Sequence, residues 1–171
     1  MKDGQEQKTS GRSAFDLAVD FLARRIRTEK EVRAFLAGKV GYGEAGTGET
    51  DRTDEADEAV ERLKELGYID DRAYAARYLE ILVGKKRGRR RIREEMRRRG
   101  LDAELIEETL ADDYAESDER ENALRIASNI FGSLPEGMDA RKAAQKISSR
   151  LVTQGYSYDL INSVIGELLS P

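Results

Sequence analysis

Residues 59–110 read AVERLKELGYIDDRAYAARYLEILVGKKRGRRRIREEMRRRGLDAELIEETL, and one pattern occurs in them twice. An apolar residue is followed four positions later by another, then by a glycine four positions on, then by an apolar residue and a new helix. Ala59, Leu63, Gly67 and Tyr68 make the first copy, and Ile92, Met96, Gly100 and Leu101 the second. A third lies downstream at Ile147, Leu151, Gly155 and Tyr156. Spacing of i, i+4 puts each apolar pair on one face of a helix. The glycine suits the left-handed residue that ends a helix, because it carries no Cβ to clash there. The residue after it folds back as the apolar contact of that cap. Asp102 and Ser157 then stand as N-caps of the next helices, which carry Leu105, Ile106, Thr109, Leu110 and Leu160, Ile161, Val164, Ile165 in the same register. This is an internal repeat of a helix pair.

The rest of the chain reads against that repeat. Residues 1–12 are polar and are expected to form a disordered leader. Ser13 caps a first helix with Phe15, Ala18, Val19, Leu22 and Ile26 at helical spacing. Thr28 and Glu31 form a T-x-x-E capping box for a second helix, with Val32, Phe35 and Leu36 on one face. Residues 38–53 are rich in glycine, threonine and acids, and predict an exposed loop, an insertion more than a recognition element. A third helix resumes near Asp54. Asp70 or Asp71 caps the next, Gly84 and Gly88 separate it from a basic helix, and Asp102 opens a further one to about Asp113. Ser117 or Asp118 caps another, GSLPEG at 132–137 is a turn, and the last two helices begin at Asp139 and Ser157.

Nine helices result, in three sets over 14–66, 71–113 and 117–169. The expectation is an all-α fold of three tandem three-helix repeats: 13–67 with the 38–53 insertion, 68–114, and 115–171. Sets of this size are too small to stand alone and should pack on their neighbours, giving an elongated array whose curvature the sequence leaves open.

Composition narrows the chemistry. Charged residues make up 37% and aromatics 6%, which fits thin Leu/Ile/Ala cores better than one thick globule. With neither Cys nor His, the chain has no thiol nucleophile, no disulfide, no Cys/His zinc site and no imidazole for acid–base work. No metal or cofactor is expected. No apolar run approaches the roughly 20 residues that span a bilayer, and the N-terminus lacks a signal-peptide core. A soluble, cytoplasmic protein is the simplest reading.

Net charge is −4, yet charge is segregated along the chain. Between Gly84 and Gly100 lie ten basic and two acidic residues; between Leu101 and Glu121 lie ten acidic and one basic. The basic cluster is the candidate binding site: Lys85, Lys86, Arg87, Arg89, Arg90, Arg91, Arg93, Arg97, Arg98 and Arg99. Arg89, Arg93 and Arg97 form one stripe of a helix whose buried face is Ile92 and Met96. Such a row repels itself unless an anion lies alongside, and arginine suits forked contacts to phosphate or carboxylate. The competing reading folds the acidic helix beside the basic one and neutralises it. Outward binding is favoured, because surface ion pairs contribute only ~0–1 kcal/mol each and give little reason to keep ten cations.

Other features have bland readings. Asp70 and Asp71 are better helix caps than a carboxylate pair for metal or catalysis. Tyr68 and Tyr156 are expected in the core, and Tyr74 and Tyr78 on a packed helix face more than as base-stacking platforms. The glycines form no phosphate loop of the G-x-x-x-x-G-K-[ST] type. No nucleophile–base pair or metal set is visible, so an enzyme is not expected.

The blocks LKELGYIDDRAYA (63–75), RGRRRIREEMRRRGLD (87–102) and LIEETL (105–110) resemble the RecX regulatory proteins. So do LARRIRTEKEVR (22–33) and RLVTQGYS (150–157), and together the likeness covers about residues 14–169. GYIDD joined to G-x-x-x-I-x-x-E-[LM] is the specific part. The resemblance implies a three-repeat helical protein that binds the RecA recombinase, lies in the groove of the RecA–DNA filament or at its growing end, and lowers strand exchange and ATP hydrolysis. It implies no catalysis. A monomer is expected, with the RecA filament as partner and single- or double-stranded DNA as a further one. The 38–53 insertion departs from the family pattern, as does the use of Arg where the family tolerates Gln or Lys. The rival reading is a stand-alone helical nucleic-acid-binding protein.

Overall fold

The structure, a computed structural model, describes residues 12–40 and 49–169. Among these, nine helices and no strand are present: α1 Ala14–Leu22, α2 Glu29–Val40, α3 Glu49–Glu65, α4 Asp71–Gly84, α5 Arg89–Arg99, α6 Ala103–Asp113, α7 Glu116–Gly132, α8 Ala140–Gln154 and α9 Tyr158–Leu169. The fold is all-α, as the repeat predicts. Apart from Arg12, the expected leader lies outside the described residues, as does 41–48 of the expected insertion.

The repeat glycines do what their positions require. Gly67, Gly100 and Gly155 have φ of +74°, +88° and +93°, the left-handed conformation. After each, the next residue's N–H reaches back to the carbonyl of the second apolar residue: Tyr68 to Leu63 at 2.9 Å, Leu101 to Met96 at 3.3 Å, Tyr156 to Leu151 at 3.2 Å. These bonds satisfy carbonyls that a helix end leaves orphaned.

The chain divides into two compact units, Met1–Tyr74 and Ala75–Pro171. In the first, α1, α2 and α3 close on Ala14, Ala18, Val32, Leu36, Ala59, Val60, Leu63 and Ile69. The Phe21 and Phe35 rings stack 4.0 Å apart on the edge of this core, and the Arg27 guanidinium lies 4.2 Å over Phe21. The capping box holds in both directions, Glu31 N–H to Thr28 Oγ1 at 3.2 Å and Thr28 N–H to Glu31 Oε2 at 3.3 Å. Asp70 caps α4 by accepting from the N–H of Ala73 at 2.9 Å, while Asp71 accepts from the N–H of Glu29 at 2.9 Å and so ties the start of α4 to the start of α2.

In the second unit, Leu79, Leu82, Ile92, Met96, Ile106 and Leu110 are buried along α4, α5 and α6. Ala123, Ala127, Ile147, Leu151, Tyr156, Ile161 and Val164 form the core of α7, α8 and α9. Burying a Leu or Ile side chain contributes about 1.5–3 kcal/mol, so these narrow stripes carry each three-helix set.

Three expectations are corrected. The loop foreseen over 38–53 is narrower at both ends: α2 runs on to Val40 and α3 starts at Glu49. Gly38 sits in open space within α2, where a helical glycine costs about 1 kcal/mol and is tolerated; after Gly48 no glycine or proline stops α3 from extending. Tyr68 is 56% exposed, and Ile69, at 4%, takes the buried seat behind Gly67. Neither Ser117 nor Asp118 caps α7, which begins earlier, behind Ala115, with no side-chain cap.

Candidate functional site

Helix α5, RRRIREEMRRR, exists because two buried apolar residues anchor it and two glycines bound it. Gly88 stands at its N-cap in extended backbone, and Gly100 ends it. The first turn is docked on the end of α8. Gly88 N–H donates to Gln154 O at 3.0 Å and Arg90 N–H to Gly155 O at 3.2 Å. The Arg89 N–H donates to Glu119 Oε1 at 2.8 Å. N–H groups that the start of one helix leaves unpaired thus meet carbonyls that the end of another leaves unpaired.

The ten cations of the sequence cluster go to different places. Arg89 turns inward: its guanidinium donates to the carbonyl of Tyr114, lies 5.4 Å from the Tyr114 ring, and holds Nε 3.1 Å from Glu119 Oε2. That last approach is close enough for charge attraction but off the line of a hydrogen bond. Arg87 donates to Gln154 Oε1 at 2.5 Å, and Arg90 to the carbonyl of Val152 at 2.8 Å. Arg91 pairs along its own helix with Glu94 and Glu95 at 3.3 and 3.2 Å. Arg93 makes a forked pair with Glu107, at 2.7 and 2.8 Å. The hydrogen bond from Arg93 holds the Glu107 carboxyl below its usual range, and the same bond raises Arg93. The half-buried Arg99 sits 5.5 Å over the ring of Tyr78.

Four members remain. Lys85, Arg97 and Arg98 are exposed, Lys86 is half-buried, and none has a side-chain hydrogen bond or ion pair among the described residues, although the Arg97 charge helps to hold down the Glu107 carboxyl. Lys86 is also held by its backbone: φ is +54°, and its carbonyl accepts from the Tyr156 hydroxyl at 2.9 Å. Tyr114 makes a parallel contact, hydroxyl to Arg87 O at 3.5 Å. Burial pushes the Tyr114 phenol up to about 12 and raises that of Tyr156 as well.

A cleft of about 780 Å³ opens between α5, the start of α7 and the start of α9, with Arg89, Arg90, Arg93 and Arg120 on its walls. Glu116 and Glu119 line it too, and Arg120 pairs with Glu167, so its positive charge is largely answered within the chain. No cluster of three or more Asp, Glu, His or Cys fit to hold a metal occurs among the described residues, and no helix is long and apolar enough to cross a membrane. Sequence reasoning missed the interlock of Gly88 with Gly155, and it missed Lys142, Lys146 and Arg150 of α8, whose charges are spread through an apolar pattern instead of being bunched.

Nine helices in three-helix sets, with charged side chains on their outer faces, define an all-α helical-repeat protein among the described residues. Comparison with known proteins narrows this. Residues 70–110 match the model of the RecX second three-helix domain. A regulatory protein RecX of Clostridium botulinum strain Alaska E43 is 31% identical over 156 residues, covering 91% of this chain and 68% of the relative. One of Bacillus licheniformis is 30% identical over 159 residues, covering 91% of this chain and 55% of the relative. The crystal structure of RecX from Lactobacillus salivarius superposes with a TM-score of 0.76 at 26% identity, over 91% of this chain and 94% of the other. The chain belongs to the RecX family of regulatory proteins.

Proposed function

We propose that this protein binds the RecA recombinase filament and restrains its strand exchange and coupled ATP hydrolysis, in the cytoplasm and without catalysis of its own. The observation that carries the reading is family membership extending over 91% of the chain. Charge supports it in detail. Lys85, Lys86, Arg97 and Arg98 keep their cationic groups unpaired among the described residues and supply contacts to acidic protein surface or to filament-bound DNA. Arg87, Arg89, Arg90 and Arg93 hold the basic helix in place.

The deciding measurement mixes the protein with RecA, single-stranded DNA and ATP. ATP turnover and strand exchange are expected to fall as the protein is added. Unchanged turnover at saturating protein overturns the reading.

A further inference from the structure

On α8, Ala143, Ile147, Leu151 and Gln154 face the core. Beside that stripe, at i, i+4 and i+8, run Lys142, Lys146 and Arg150, all exposed. The helical rise puts successive members about 6 Å apart along one flank. None has an ion pair or side-chain hydrogen bond among the described residues. Arg150 also borders a groove of about 290 Å³ whose other walls include Lys85, Lys86 and Asn129, and a neighbouring depression with Gln145, Lys146 and Ser149. No acidic side chain lines either one. The nearest acid in sequence, Asp139, caps α8 by accepting from the backbone N–H of Lys142 at 3.2 Å, and makes no ion pair with the row.

We propose that Lys142, Lys146 and Arg150, continued by Lys85 and Lys86, form a track for the phosphate backbone of a nucleic acid. Like charges four residues apart on a helix destabilise it, so the row is a cost to the free protein that a polyanion offsets. Four of the five are lysines, point charges on flexible stems that suit a sequence-independent run of phosphates. Gln145, Ser149 and Asn129 beside them are the uncharged types that bond phosphate oxygens. Lys86, the one non-glycine residue at positive φ among those described, takes the left-handed position that ends α4: its N–H reaches Val83 O at 2.7 Å and that of Arg87 reaches Leu82 O at 3.0 Å, which fixes where its ammonium group starts out. This surface lies on a different helix from α5, and the inference does not rest on the RecA reading.

The test uses the full chain, without RecA, and fluorescence anisotropy of labelled single-stranded and duplex oligonucleotides over a salt series. Binding is expected, with log affinity falling linearly against log salt. Lys146→Gln and Arg150→Gln should each flatten that slope, by about 0.9 on duplex or about 0.7 on single strands. Arg141→Gln removes the same charge from the opposite flank of α8 and should leave the slope as it is. Circular dichroism establishes that each variant is folded. Failure to bind either oligonucleotide at about 50 mM salt, or equal slopes for all variants, overturns the proposal. So does weakened association with a RecA filament while oligonucleotide binding is untouched, which would assign the row to an acidic protein surface. Because RecA is absent from the first measurement, its failure leaves the filament reading standing.

Discussion

Gly88 and Gly155 meet backbone to backbone. A Cβ on Gly88 would lie 2.6 Å from the carbonyl carbon of Gly155, and one on Gly155 would lie 2.4 Å from the Cβ of Arg91. Neither obstacle is a flexible side-chain tip that could swing away. The two glycines are what let the start of α5 seat on the end of α8, and through them the two three-helix sets of the second unit share hydrogen bonds.

Gly155→Ala should therefore be the most damaging of the repeat-glycine substitutions. It combines left-handed strain of about 1–2 kcal/mol with backbone overlap of about 1–3 kcal/mol. Gly88→Ala brings the overlap alone. Gly67 has positive φ but open space around it, so Gly67→Ala should cost only the strain. Urea unfolding of the three variants checks the order; equal losses at Gly67 and Gly155 would show that the contact contributes nothing.

The basic cluster should separate into residues that hold the fold and residues that bind. Glu119 is almost fully buried and relies on Arg89, both at its backbone N–H and at its guanidinium. Arg89→Ala keeps that N–H but removes the countercharge and the guanidinium bond to Tyr114 O, and should cost about 1–3 kcal/mol. Arg97→Ala and Arg98→Ala remove exposed, unpaired groups and should stay within about 0.5 kcal/mol of the parent, while weakening association with the RecA filament. Thermal unfolding and a filament-binding assay, run on the same variants, test both halves.

How much of this was legible from the residues depends on whether a pattern offers one candidate or two. The glycine that ends each repeat helix is unambiguous, because no other residue takes that backbone so cheaply, and all three stand at positive φ. The apolar residue behind it is unambiguous only where a polar residue follows, as at Leu101-Asp102 and Tyr156-Ser157. Behind Gly67 stand Tyr68 and Ile69, and the smaller one is buried. Charge is harder to read. Ten cations within residues 85–99 announce themselves, yet the partners of Arg87 and Arg90 lie more than sixty residues away on α8, one of them a backbone carbonyl. No sequence pattern marks a carbonyl as a partner.

Arg93 and Glu107 should behave as a pair whose contribution disappears in acid. Glu107 is held down by the Arg93 hydrogen bond. A carboxyl with a depressed folded-state value stabilises the fold above its unfolded value, near 4.5, and that contribution is lost as pH falls through the folded value. Both side chains are partly exposed, so the coupling should be ~0.2–1 kcal/mol and should shrink with added salt. A double-mutant cycle with Arg93→Ala and Glu107→Ala at neutral pH, repeated below the lowered value, tests this; coupling that survives in acid would contradict it.

At the alkaline end the sign is set by the two buried tyrosines. Folding raises the Tyr114 phenol to about 12, with burial as the largest cause, and raises Tyr156 too. Between the ordinary value of 10 and the raised value, the unfolded chain has released a proton that the folded chain still holds. Stability therefore falls as pH rises through that window. Tyrosinate absorbance should show a late phase that coincides with loss of helix, and Tyr114→Phe should relieve part of it. Tyr156→Phe should relieve its share as well, but it also removes the hydroxyl that donates to Lys86 O. The variant should then lose about 1 kcal/mol at neutral pH and free the strained backbone at Lys86. If that backbone is held in place for the sake of its ammonium group, Tyr156→Phe should weaken oligonucleotide binding although it removes no charge. A variant that is less stable but binds with unchanged affinity and salt slope would show that the strain at Lys86 serves packing alone.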